Sequence, residues 1–264
     1  MDLTLLAVSS PTTLSIMKNK TPKKILTAFF VFLFWISVWW IFASFVNNSY
    51  LLPSPSDTFS ALAELFSYGY FYKVIFLSLL RVLLGLVLGI VFGTALAFIC
   101  HGFSLLRSLV TPLVSVIKAM PVATFILLLW LTLRGSSLTI FIGFIMVMPI
   151  IFQNVLSGLD SIDKDLIEVS WVFEFSPSKR LSLLVFPALR SYLAPAIITS
   201  VGLAFKSQIA AEIIAYTKNS IGQYIYDANY GLDTPAVFAW AAVIVTFSIG
   251  LETICRHLLG RVKK

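Results

Sequence analysis

Four polar residues, Arg81, Lys206, Gln208 and Glu212, interrupt runs of sequence that are otherwise apolar. Charge placed in such runs pairs internally or lines a wet path, because hydrocarbon solvates it poorly. Two readings stay open. One is an internal ion pair, for instance Arg81 with Glu212, that locks helices together; a charge swap is then expected to recover part of what Arg81→Ala loses. The other is direct solute contact by Arg81, Lys206 or Gln208, where two cations near a path suit an anion. No catalytic set accompanies them. The two histidines, His101 and His257, lack the company of a nucleophile with an orienting acid. Cys100 and Cys255 form neither a CxxC pair nor a His/Cys cluster, so they read as reduced, buried thiols and no metal site is implied. No G-x-x-x-x-G-K-[ST] loop occurs; its nearest fragment, Lys206-Ser207, lacks the preceding glycine. The chain does not hold ATP by that loop.

The elements that carry these residues follow from composition. Apolar residues make up 59% of the 264 and charged residues 12%, about half the charged share of a soluble domain. Lipid is the medium that tolerates so much exposed hydrocarbon. The net charge of +7 lies beside apolar runs rather than along one face, which marks topology and excludes a nucleic-acid surface.

A hydrocarbon core of about 30 Å needs roughly 20 helical residues. Spans are expected at about 25–46, 74–100, 112–133, 138–159, 192–215 and 235–255, with 1–24 as a cytoplasmic tail and 25–264 as one transmembrane domain. Met1–Met17 lacks the basic start of a signal peptide. With the N-terminus inside, fourteen Lys and Arg residues fall on the inner side and only Lys73, Arg134 and Lys218 on the outer. That asymmetry favours six spans with both termini in the cytoplasm. Trp35, Trp39 and Trp40 read as interface anchors.

Gly85, Gly89 and Gly93, followed by Ala97, recur every four residues and so share one helix face. Close helix packing is the first reading and a sliding surface for gating the second. The outer loop 47–73 is expected to hold a short helix capped at Ser56 or Asp57. The longest inner connection, 160–190, reads as two short amphipathic helices. The first ends near Phe173, Ser176 caps the second with Pro177 at its first position, and Pro187 breaks the chain before the fifth span. Their apolar faces need a bilayer surface or another protein to cover them.

Glu168 stands nineteen residues before Pro187, with Ser170 and Leu184-Val185-Phe186 between them. This arrangement resembles the coupling-loop signature of binding-protein-dependent ABC importer permeases: Glu-Ala-Ala, a glycine three residues on, then an apolar-x-Leu-Pro ending. Glu174 occupies the glycine position, so either the turn avoids positive φ or Glu174 is strained. The resemblance runs from about Trp35 to Leu259 and is nearest to the nitrate/sulfonate/taurine branch. Leu51–Ser56, Ser78-Leu79-Leu80-Arg81, Lys118-Ala119-Met120-Pro121, Leu128-Leu129-Trp130, Ala210-Ala211-Glu212-Ile213-Ile214, Gly222-Gln223-Tyr224 and Leu232-Asp233-Thr234-Pro235 carry it in shared order.

The resemblance implies an all-α polytopic fold of the type I importer permease (MetI-like) class, with six transmembrane helices and a cytoplasmic coupling helix in the inner membrane. It implies that Asp165, Glu168, Ser170, Phe173, Glu174, Ser176, Lys179 and Pro187 serve coupling to an ATPase. It implies as partners two ATP-binding cassette subunits, which bind ATP and magnesium, a second permease copy and an external solute-binding protein. The solute is expected to be a sulfonate, taurine or nitrate-like anion; the alternative is a vitamin precursor such as a pyrimidine or a riboflavin-like molecule. An ion-gradient transporter would need inverted repeats and midplane acids, and the sequence offers no repeat and a single such acid, Glu212.

Overall fold

The computed structural model describes residues 21–260, so most of the tail over 1–24 and the basic C-terminal residues from Arg261 lie outside the described residues. Eleven helices are described: α1 (Thr21–Val46), α2 (Pro55–Ser67), α3 (Gly69–Gly102), α4 (Ser104–Ala119), α5 (Val122–Trp130), α6 (Gly135–Asp160), α7 (Lys164–Val172), α8 (Pro177–Arg180), α9 (Phe186–Ile214), α10 (Ile221–Tyr230) and α11 (Thr234–Gly260). Five are long and apolar enough to cross a membrane, and the bent pair α4–α5 can supply a sixth pass. At about 1.5 Å per residue, the 34 residues of α3 reach ~51 Å, well beyond the hydrocarbon.

Small residues set the central packing. A β-carbon on Gly85 would lie 2.8 Å from the Ile140 carbonyl oxygen, one on Gly89 2.6 Å from Val147 Cβ, and one on Gly93 2.7 Å from the Met148 carbonyl oxygen. The glycine face of α3 is therefore pressed onto α6, and the paired numbers rise together, so α3 and α6 run parallel. Leu189 against Gly158 and Gln208 against Gly143 show α9 running antiparallel to both.

Parallel neighbours require the chain to return along the full height of the bundle between α3 and α6. Residues 103–134 make that return, but not as the single helix expected over 112–133. The path bends by 100° between α4 and α5. Pro121 lacks an N–H, and its ring biases Met120 to the extended conformation it adopts, at φ −76° and ψ 136°.

Hydrogen bonds between elements fix the remaining directions. Trp39 Nε1 donates to the Pro53 carbonyl at 3.0 Å and its ring stacks on Phe238, joining the end of α1 to the start of α11. Thr234 Oγ1 donates to the Tyr50 carbonyl at 2.6 Å. Arg107 donates to both oxygens of Asp160, and His101 lies 3.1 Å from the same carboxylate, joining the C-terminal ends of α3 and α6. One end of the bundle thus carries α2 and α10. The other carries α7, α8, the start of α1 and the end of α11.

Two local expectations change. The cap of α2 is Ser54, not Ser56 or Asp57: Pro55 suits the first helical position, where a missing N–H costs nothing. Ser54 Oγ accepts from the Asp57 amide while Asp57 Oδ2 accepts from the Ser54 amide, both at 3.2 Å. The Ser54 bonds hold the Asp57 carboxyl below its ordinary pKa. Pro187 does not break the chain; it lies in the first turn of α9. A π turn at Leu181–Val185 joins α8 to α9, and the Phe186 amide reaches the Leu181 carbonyl five residues back. The wider turn absorbs the proline, and the two helices run on as one element from Pro177 to Ile214.

Candidate functional site

Near the α2–α10 end, α3, α6, α9 and α10 meet at a buried carboxylate. Glu212, 1% exposed, accepts from Ser78 Oγ at 2.8 and 2.9 Å, from the Gly222 amide at 3.2 Å and from Arg81 Nη1 at 3.2 Å. Ser78 Oγ accepts in turn from the Ile221 amide at 3.0 Å. Ile221 and Gly222 are the first two residues of α10, whose positive helix end faces the carboxylate. Gly222 is required by distance: a β-carbon there would meet the Ile213 amide nitrogen at 2.5 Å.

Arg81 uses four of its five N–H donors. Besides Glu212 it donates to Ser136 Oγ at 2.9 Å, the Asn219 carbonyl at 3.2 Å and the Lys218 carbonyl at 3.3 Å. Those carbonyls are presented by a turn in which Tyr216 and Asn219 adopt φ of 48° and 52°. Removing two charges from water is costly unless dense hydrogen bonding compensates. Here both partners have it, and the pair ties four helices together.

The other two intramembrane polar residues face elsewhere. Gln208 is fully buried in the α3/α6/α9 junction, where its Nε2 donates to the Val82 carbonyl at 3.3 Å and its side chain fills the space left by Gly85 and Gly143. Lys206 lies on the opposite face of α9, its side chain 65% exposed, with Nζ 3.9 Å from Glu252 Oε1 of α11.

At the far end, α7 begins at Asp163, whose carboxylate accepts from the Asp165 amide at 2.9 Å. It ends in a Schellman turn: the Phe175 amide donates to the Ser170 carbonyl at 2.9 Å and the Glu174 amide to the Trp171 carbonyl at 3.0 Å. Glu174 occupies the left-handed position at φ 50°, so the departure from glycine is met by strain and not by another turn. Ser176 caps α8 by accepting from the Lys179 amide. Arg180 stacks its guanidinium 3.4 Å from the Trp171 ring centre and donates to the Ser170 carbonyl, and Lys179 lies over Phe175 at 4.1 Å. Spacing alone gave no sign of these cation–ring contacts.

What the loop leaves uncovered is apolar. Val172 is 80% exposed and Phe173 70%, with Leu166, Val169 and Trp171 also open, while Asp165 and Glu168 are exposed on the same helix.

Comparison with known proteins fits this geometry. The family described as binding-protein-dependent transport system inner membrane component matches residues 85–264. An aliphatic sulfonates transport permease of Bacillus subtilis is 26% identical, covering 83% of this chain and 79% of its own. A taurine transport permease of Escherichia coli is 22% identical over 86% and 84%. A solved bacterial ABC transporter that imports the acidic polysaccharide alginate shares the fold at TM-score 0.65 and 16% identity, over 92% of this chain and 97% of that one. The chain belongs to the binding-protein-dependent transport family: it is a multi-pass inner-membrane permease subunit of an ABC importer, of the nitrate/sulfonate/taurine branch.

Proposed function

We propose that two copies of this permease form one pore, that two separate ATP-binding subunits bind ATP with its magnesium and hydrolyse it, and that they dock on α7 and α8. The observation that carries this reading is the crown of exposed apolar side chains on α7. A bilayer surface suits it poorly: Asp163, Asp165 and Glu168 outnumber Lys164 on the helix and its cap, and an anionic leaflet repels them. A groove on another protein suits it well. Because α8, the π turn and α9 form one element, displacement at α8 is carried along α9 towards Glu212. Both termini then face the cytoplasm, and the external solute-binding protein docks at the α2–α10 end. The solute is a small anion such as a sulfonate, taurine or a nitrate-like ion.

Reconstitution with the ATP-binding subunit tests this. Glu168→Lys reverses the charge at the docking helix outside the bilayer, so insertion survives, ATP hydrolysis continues and solute uptake falls. Transport by the purified permease without ATP overturns the reading in favour of a gradient-driven carrier.

A further inference from the structure

We propose that Lys206 is the anion contact of the translocation path and that Glu252 is the counter-ion an incoming anion displaces. The inference rests on the importer reading and adds a solute contact to it. α9 packs against α3, α6, α10 and α11, yet Ser191, Pro195, Thr199 and Lys206 are exposed along it. Their spacing puts them on one face. Lys206 stands eight residues before Ile214, about 12 Å from the end of the helix and inside the hydrocarbon depth. A lysine exposed there does not face lipid; it faces water or a second protein surface. Arg81, the other cation deep in the spans, is enclosed by four acceptors and has no part in such a contact.

Glu252 is seated by design of the backbone. Its carboxylate lies against Gly202, one turn from Lys206, in space that a β-carbon at 202 would fill. From that notch it reaches the ammonium at only 3.9 Å, a loose contact with an ammonium that has three donors. The Glu252 side chain is itself 34% exposed, so neither partner of this pair is sealed from its surroundings. An anionic head such as a sulfonate can take the ammonium while Glu252 stays in its notch.

The test uses the complete reconstituted importer with Cys100→Ala and Cys255→Ala, carrying Thr199→Cys on the same face. Seven residues separate this thiol from Lys206, about 10 Å. Its modification rates are compared for two methanethiosulfonate reagents, one bearing a sulfonate and one a trimethylammonium. The expected result is a reactive thiol that favours the sulfonate reagent. Lys206→Gln lowers that preference about fourfold, as one unit charge at this distance in a wet path implies for reagents of opposite sign. Lys206→Arg retains the preference and Glu252→Gln raises it. A thiol inert to both reagents, or a preference indifferent to Lys206→Gln, overturns the proposal. Labelling needs no transport, so it reads the path even if uptake proves independent of ATP, which would overturn the importer reading alone. An inert thiol in a complex that shows ATP-driven uptake overturns only the role of Lys206.

Discussion

Gly222 approaches Glu212 so closely that no β-carbon fits between their helices, and through that gap the Gly222 amide reaches the carboxylate at 3.2 Å. The contact binds the start of α10 to the last turn of α9 and completes the shell around a buried charge. Gly222→Ala must push α10 away from Glu212 and strip one donor from it. A loss of about 1–3 kcal/mol is expected, the scale for an overpacked site or an unmade bond to a buried group. Thermal unfolding of the detergent-purified protein checks it; an unchanged midpoint contradicts the packing.

Arg81→Ala leaves Glu212 buried with two neutral donors and no counter-charge, a change that costs about 3–5 kcal/mol in comparable buried pairs. The neutral double variant Arg81→Met with Glu212→Gln should unfold later than Arg81→Ala. The charge swap is expected to fail, contrary to the expectation from sequence alone. An acid at 81 would face the Lys218 and Asn219 carbonyls, and a cation at 212 would face the Gly222 amide. Recovery by the swap would show that the pair acts through charge alone.

How much of this was legible in the sequence depends on whether the signal is local. The long apolar runs, the four-residue glycine spacing and the Ser176-Pro177 cap are written in adjacent residues, and the helices follow them. The pairing of Arg81 with Glu212 is legible only as one of two options, because 131 positions separate them. That Gln208 turns inward while Lys206 turns outward depends on which face of α9 meets Gly85 and Gly143, which no single helix reveals. The bend at Pro121 was signalled by the proline, but a count of apolar residues over 112–133 ran straight across it. The sequence marks Arg180 only as an inside charge; its stacking on Trp171 depends on the turn geometry at Glu174.

Glu174 offers a substitution that should stabilise. Its φ of 50° is left-handed, where a β-carbon costs about 1 kcal/mol and glycine does not. Glu174→Gly keeps both Schellman hydrogen bonds and should protect the Phe175 and Glu174 amides more strongly against hydrogen exchange. The added freedom of glycine in the unfolded chain offsets part of the gain, so an increase of about 0.5 kcal/mol is expected. Glu174→Val should do the reverse, since a β-branched residue tolerates positive φ least. Equal exchange in all three proteins contradicts the strain.

The orientation of the whole bundle can be read at Ser176. The parallel packing of α3 on α6 and the Asp160 bonds to Arg107 and His101 place α7 and α8 at the same end as the start of α1 and the end of α11. Lys23, Lys24, Arg107, Lys118, Lys164, Lys179, Arg180, Arg190 and Arg256 give this end a strong basic excess over the α2–α10 end, where Lys73, Arg134 and Lys218 lie. Basic loops stay on the cytoplasmic side, so the α7–α8 end is expected to face inward. Ser176 is exposed, and Ser176→Cys in a Cys100→Ala, Cys255→Ala background gives a thiol that water reaches from one side only. An impermeant maleimide should leave that thiol unmodified in intact cells and modify it in inside-out vesicles. A thiol at Asn229, exposed on α10 at the opposite end, should show the reverse. Labelling of Ser176→Cys in intact cells would invert the bundle and put the docking helix out of reach of any ATP-binding subunit.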